Sequence, residues 1–171
     1  RSVGIVWPCE QHALEGAMDA AQQNIIEPVL IGDKGTITSV AKASGITLDK
    51  AVFIDAATPA EAAQKATALV RQGRVKALMK GSLHTDIFMH AIVEADSGLR
   101  TNRRISHVFL LAVPGYEDLL FVTDAAINIF PDLDVKRDIV QNAIDLHNGL
   151  GVGVPRVAIL SAVETVNSKI P

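Results

Sequence analysis

Val75–Asp96 reads VKALMKGSLHTDIFMHAIVEAD, and its hydrophobic period changes in the middle. Val75, Ala77, Leu78 and Met79 form a short apolar run of the kind a buried parallel strand carries, whereas Ile87, Phe88, Ala91, Ile92 and Ala95 recur at helical spacing. The stretch therefore reads as strand, turn and helix. The turn is Lys80-Gly81-Ser82-Leu83-His84-Thr85-Asp86: a glycine for a tight bend, two hydroxyls able to cap the helix, and a cation just before them. Unpaired N–H groups and the positive end of the dipole favour an anion such as phosphate at a helix start. Glycine and serine also turn and cap many such junctions without any ligand, so both readings stand at this point.

The segments before this stretch repeat the same alternation. Val3–Trp7 is an apolar run ended by Pro8, followed by a helical pattern over Glu10–Gln23 with Ala13, Leu14, Ala17, Met18 and Ala21 on one face. Glu27–Ile31 reads as a second strand ended by Gly32-Asp33. A helix over Thr36–Ala43, stopped by Gly45, leads to a third strand at Ala51–Asp55. Thr58-Pro59-Ala60-Glu61 is a helix start with cap, first-position proline and capping-box glutamate, and this helix runs to Gly73. Strands joined by helices imply crossover connections, hence a mostly parallel sheet with helices on both faces. Ligands of such sheets gather outside the carboxyl ends of the strands, where Trp7-Pro8-Cys9, Asp55 and Lys80–Thr85 are all placed.

After Gly98 the character changes. Leu99–Arg104 is the one dense basic segment, with Arg100, Arg103 and Arg104. Ile105–Val113 and Leu119–Thr123 read as two strands joined by the turn Pro114–Asp118, too short for a crossover and therefore antiparallel. Asp124 and Asn128 follow the second strand, and a long amphipathic helix spans Leu133–Leu150. Arg156–Leu160 reads as one more strand.

Composition narrows the class. At 171 residues the chain is about one domain's worth, with a hydrophobic fraction of 49%. A net charge of −3, with Lys and Arg nowhere in a run longer than a pair, gives no bulk attraction for nucleic acid. The single cysteine, Cys9, forms no internal disulfide and suits a reducing compartment. No apolar run reaches the roughly 20 residues of a membrane span, so no membrane partner is expected and the cytoplasm is the default. The chain opens at Arg1 directly before a strand and stops at Ser168-Lys169-Ile170-Pro171 beyond another, which reads as part of a longer protein.

Long segments then carry a resemblance. LMKGSLHTD (Leu78–Asp86), GLRTNRRISHVFLLAVPGY (Gly98–Tyr116), TDAAINIFPDL (Thr123–Leu133), IVQNAIDL (Ile139–Leu146) and VAILSAVETVNSKIP (Val157–Pro171), with the opening WPCE and EPVLIGD, resemble the phosphate acetyltransferase/phosphate butyryltransferase family in order and spacing. The KGSLHT wording is similar to a branch in which the transferase is sometimes fused behind an enoyl-CoA hydratase domain. The resemblance implies an α/β fold like that of isocitrate and isopropylmalate dehydrogenases: a mostly parallel sheet with flanking helices, two domains in the full-length protein and the active site in the cleft between them. Residues 1–171 then form the amino-terminal portion of that transferase. It also implies acyl transfer between CoA and inorganic phosphate, a homodimer, CoA as substrate, and neither metal nor bound organic cofactor. The acyl group is expected to be acetyl, with butyryl, or a non-catalytic CoA- or metabolite-sensing domain of the same fold, as alternatives.

For the site, the resemblance and the chemistry together point to Lys80, Gly81, Ser82, Thr85, Arg100, Arg104 and Asp124 as contacts to phosphate or to substrate. The family's serine, arginine and aspartate that handle the CoA thiol belong to a later segment, expected beyond Pro171, so the catalytic residues are not assigned. His90 stands where many members carry an arginine. Each candidate has a plainer reading beside it: helix caps for Ser82 and Thr85, a packing residue for His84, a solvated loop for Arg100–Arg104, a turn organiser for Asp124, and a small buried hydrophobe for Cys9. A dehydrogenase reading lacks support, because no G-x-G-x-x-G follows a strand.

Overall fold

A computed structural model describes residues 1–161, 163–165 and 167. The chain divides into two compact units, residues 1–100 and the residues from Thr101 onward. The first unit alternates strands and helices: β1 (Ser2–Val6), α1 (Gln11–Gln22), β2 (Glu27–Gly32), α2 (Lys34–Ser44), β3 (Val52–Asp55), α3 (Pro59–Arg71), β4 (Ala77–Lys80) and α4 (Thr85–Val93). The four strands form one sheet in the order β3-β2-β1-β4, every neighbouring pair parallel.

Side-chain alternation along the strands divides the core into two layers. Ile5 and Leu30 pack with Leu14, Ala17, Met18 and Ala21 of α1 and with Ile37 and Ala41 of α2. Their chain neighbours Val6 and Ile31 turn to the other face, onto Ala62, Ala63, Ala66 and Leu69 of α3 and onto Ala91 of α4. A mostly parallel sheet covered on both faces is thus present, as the strand-helix alternation requires.

The helix ends show why they lie where they do. The Asp33 carboxylate accepts from the Thr36 amide at 2.7 Å and starts α2 at Lys34, two residues before the start read from the apolar pattern. Gly45, at φ +68°, closes the same helix in the left-handed conformation. Thr58 accepts from the Glu61 amide at 3.2 Å, and the Glu61 carboxylate reaches back to the Ala57 amide at 2.8 Å, one residue ahead of the usual capping-box partner.

Two expectations are corrected. The run Val75–Met79 is not a buried strand: β4 begins at Ala77 and lies at the sheet edge, with Ala77 and Lys80 exposed. Only Val75, ahead of the strand, is fully inside, at 1% exposure. The second is Arg156–Leu160, which forms no strand. No described strand offers it a ladder, and Ile159 and Leu160 are 79% and 91% exposed. The expected chain end at Ser168–Pro171 lies outside the described residues.

The second unit contains β5 (Val108–Leu111), β6 (Leu120–Thr123) and α5 (Leu133–Leu150). β5 and β6 pair antiparallel, Val108 opposite Thr123 and Leu111 opposite Leu120, as the short turn dictates. Ile105–Val113 thus pairs only over its middle four residues. No helix among the described residues is long and apolar enough to cross a membrane.

Because Thr58 supplies the one hydroxyl at the start of α3, Thr58→Ala is expected to lower unfolding free energy by about 1 kcal/mol, with Thr58→Ser close to the parent. Urea denaturation followed by circular dichroism measures both.

Candidate functional site

The chain proceeds from β1 outward through β2 to β3 and then crosses back through α3, so that β4 lands on the opposite side of β1. The direction of winding reverses between β1 and β4, and the carboxyl ends of that pair are where open α/β sheets accept ligands. Trp7-Pro8-Cys9 leaves the end of β1 and Lys80-Gly81-Ser82 leaves the end of β4.

These two ends are stitched together. The Gly81 amide donates to the Val6 carbonyl and the Ser82 amide to the Trp7 carbonyl, both at 2.9 Å. A Cβ at position 81 would lie 2.6 Å from both carbonyl oxygens, so no side chain fits there. The Ser82 hydroxyl donates to the Trp7 carbonyl at 2.8 Å and accepts from the Cys9 amide at 3.2 Å. Trp7 itself has φ +57°, a left-handed conformation that costs a non-glycine residue on the order of 1–3 kcal/mol and persists only where neighbours enforce it. Its amide donates to the Ile31 carbonyl at 2.7 Å. The sequence offered no direct signal for Trp7 beyond a proline after it, because its partner Ser82 is 75 residues away.

Past the stitch, α4 opens at Thr85 with His84 as its cap residue, and no side chain caps it. The two hydroxyls expected as caps do otherwise. Ser82 faces β1, and Thr85 is the first helical residue, exposed, its hydroxyl without a partner among the described residues. The amides of Thr85, Asp86 and Ile87 likewise have no carbonyl to bond. The Lys80 ammonium donates to the carbonyls of Leu83 at 2.9 Å and Gly81 at 3.3 Å, which brings a full positive charge to the inside of the turn. Asp86 and His90 line a groove against α3 with Ala60, Gln64 and Glu94, so His90 faces that groove.

Charge along the rim is unequal. The ends of β2 and β3 carry Asp33 and Asp55, which bond the amides of Thr36 and Lys34, while the end of β4 carries Lys80. Burial pushes the Cys9 thiol up, the nearby Asp33 and Glu10 carboxylates add to it, and a hydrogen bond accepted from the Asp33 backbone amide opposes it. Such a thiol is a poor nucleophile at neutral pH.

Arg100 closes the first unit, exposed and without a hydrogen-bond or ion-pair partner among the described residues. The second unit ties its own arginine loop to α5. Arg103 pairs with Asp145 and Asn142, the Arg104 amide donates to Asp138 at 2.9 Å, and Asn142 donates to the Arg104 carbonyl at 2.9 Å. That leaves the Arg104 guanidinium free among the described residues. Asp124 is engaged on both oxygens: it accepts from the amides of His107, Ala126, Ile127 and Asn128 and from the Asn128 side chain. Lys80, Gly81, Ser82 and Thr85 thus share one turn, whereas Arg104 and Asp124 belong to the other unit.

Known proteins extend this picture. A sequence profile described as phosphate acetyl/butaryl transferase matches residues 59–171. The chain is 54% identical over 167 residues to a protein of Rhizobium meliloti named phosphate acetyltransferase, covering 98% of this chain and 53% of that protein. It is 34% identical over 168 residues to a phosphate butyryltransferase of Clostridium beijerinckii, covering 98% and 56%. The crystal structure of a branched-chain phosphotransacylase from Enterococcus faecalis V583 superposes with a TM-score of 0.78 at 25% identity, over 99% of this chain and 59% of that one. The chain spans about half the length of the relatives it matches.

Two outcomes follow from this geometry. Gly81→Ala forces two backbone carbonyls apart and is expected to cost about 3 kcal/mol or more by urea denaturation. For Asp124, burial raises the carboxyl pKa, but hydrogen bonds from the Asn128 side chain and from the amides of Ile127, Ala126 and Asn128 outweigh it, and the net shift is downward. A group whose folded pKa is depressed stabilises the fold above its unfolded value and loses that contribution as pH falls through the folded one. Stability of the parent is expected to decline through the acid range below the ordinary carboxylate pKa, and Asp124→Asn to flatten that limb, as read by pH-dependent thermal melts.

Proposed function

The chain belongs to the phosphate acetyl/butaryl transferase family, and from that premise we propose that its protein moves an acyl group between CoA and inorganic phosphate. The 54% identity to a protein named phosphate acetyltransferase carries the reading and favours acetyl over longer groups. In the forward direction a phosphate oxygen attacks the thioester carbonyl, a C–O bond forms, the C–S bond breaks, and CoA leaves as thiolate to take up a proton. The reaction consumes no redox equivalent. Binding and orientation of the phosphate, together with stabilisation of the negative charge that develops on the carbonyl oxygen, are what the protein supplies.

The corner formed by Lys80, Gly81, Ser82 and Thr85 is the part of this chain suited to hold phosphate. It combines an ammonium, an uncapped helix start and a hydroxyl without a partner at the winding reversal of the sheet. The exposed guanidiniums of Arg100 and Arg104 are suited to forked contacts with phosphoryl oxygens of phosphate or of CoA. Asp124, in the second unit, shapes the loop after β6. The finer expectations belong to the same reading: CoA as substrate with no metal or organic cofactor, the relation to the isocitrate dehydrogenase fold, and a homodimer in the cytoplasm. The unpaired Cys9 thiol is compatible with that compartment.

The test is CoA release from acetyl-, propionyl- and butyryl-CoA by the intact protein in the presence of phosphate, with arsenate as control. Phosphate-dependent release fastest with acetyl-CoA is expected. Arg100→Ala is expected to raise the KM for phosphate or for acyl-CoA about tenfold or more with unchanged thermal stability. Absence of release from all three thioesters would discard the transferase reading and leave a sensing role.

A further inference from the structure

Ser82 has one proton and one well-directed acceptor position in use. The proton lies on the Trp7 carbonyl and the acceptor on the Cys9 amide, while the Ser82 and Gly81 amides are held by β1 as well. A phosphate arriving at this corner therefore finds no free donor on Ser82. Three residues on, Thr85 presents an exposed hydroxyl and amide with no partner among the described residues. What Ser82 bonds instead is the strained part of the rim: two of its donors meet the carbonyl of a tryptophan at φ +57°.

Resting on the proposed function, we infer that Ser82 is a positioning residue. It holds Trp7 in its left-handed conformation and so fixes the turn that aims Lys80 and the start of α4, and the anion is contacted by Thr85. The Ser82 hydroxyl thereby acts on phosphate through Trp7, with no bond to the anion itself.

This arrangement separates Ser82 from Thr85 in experiments on the full chain with inorganic phosphate as the probe. Trp7 is the one tryptophan of the chain, and its half-buried indole packs on the core beneath the turn, so its emission reports the clamp directly. Ser82→Ala is expected to shift Trp7 emission to the red and weaken phosphate binding by calorimetry about fivefold, and Ser82→Thr, which keeps the hydroxyl, to restore both. Thr85→Val is expected to weaken phosphate binding tenfold or more with emission unchanged. In a Trp7→Gly background, where the left-handed conformation is free of strain, adding Ser82→Ala is expected to change phosphate affinity less than twofold. An undiminished effect of Ser82→Ala in that background, or a loss of affinity equal to that of Thr85→Val with emission unmoved, overturns the inference. If the parent chain takes up no phosphate while the intact protein releases CoA, the corner is misassigned and this inference falls with it, whereas the transferase reading survives. Absence of both phosphate uptake and CoA release removes the proposed function itself.

Discussion

Two carbonyl oxygens, those of Val6 and Trp7, decide how the end of β4 meets the end of β1. The chain comes so near them at Gly81 that a single added carbon would overlap both, and the amides of Gly81 and Ser82 close the gap with hydrogen bonds. The corner between β1 and β4 follows from this contact. It fixes the direction in which the turn leaves β4, where Lys80 folds back onto the Leu83 carbonyl, and which amides of α4 remain open. It also explains why a residue as large as Trp7 occupies a backbone conformation that glycine would adopt without cost: three hydrogen bonds to its amide and carbonyl leave it no alternative.

The second unit solves a comparable problem with a carboxylate. Asp124 gathers five donors from the loop that follows β6 and from the residue before β5, and Arg103 joins the basic segment to α5 through Asp145. A two-stranded ribbon supplies little apolar packing of its own, and Phe109, Leu111, Leu120 and Val122 on one face of it are each between 39% and 49% exposed. Of the arginines in the segment, the one whose guanidinium pairs with α5 is Arg103.

How much of this was written in the sequence depends on distance along the chain. Strand-helix alternation, the Thr58 cap, the Gly45 stop, the antiparallel pair and the limits of α5 were legible, because each rests on a period or on residues within four positions of one another. The edge position of β4 was not, since Val75–Met79 reads alike in the middle of a sheet and at its side, and order in a sheet is set by crossovers. The hydroxyl of Ser82 was legible as a helix cap or a ligand donor, and in the folded chain it serves a carbonyl 75 residues earlier. By its sequence Asp33 suits the end of a strand as well as the start of a helix, and in the folded chain it starts α2. The resemblance of long segments to the transferase family did not depend on any of these local decisions, and the profile match confirms it.

Beside Leu69, the face that α3 turns to the sheet is made of Ala62, Ala63 and Ala66, these three at 1% exposure or less. Methyl groups are the smallest side chains that can line a helix without loosening its backbone, so these three positions have almost no volume left to lose. Substitution at the three alanines runs toward bulk, and any bulk pushes the helix off the strands that end at Val6 and Gly32. A layer most proteins could repack by exchanging large residues for small ones is thus held fixed here by its own economy of atoms, and the spacing it sets passes to the rim unaltered.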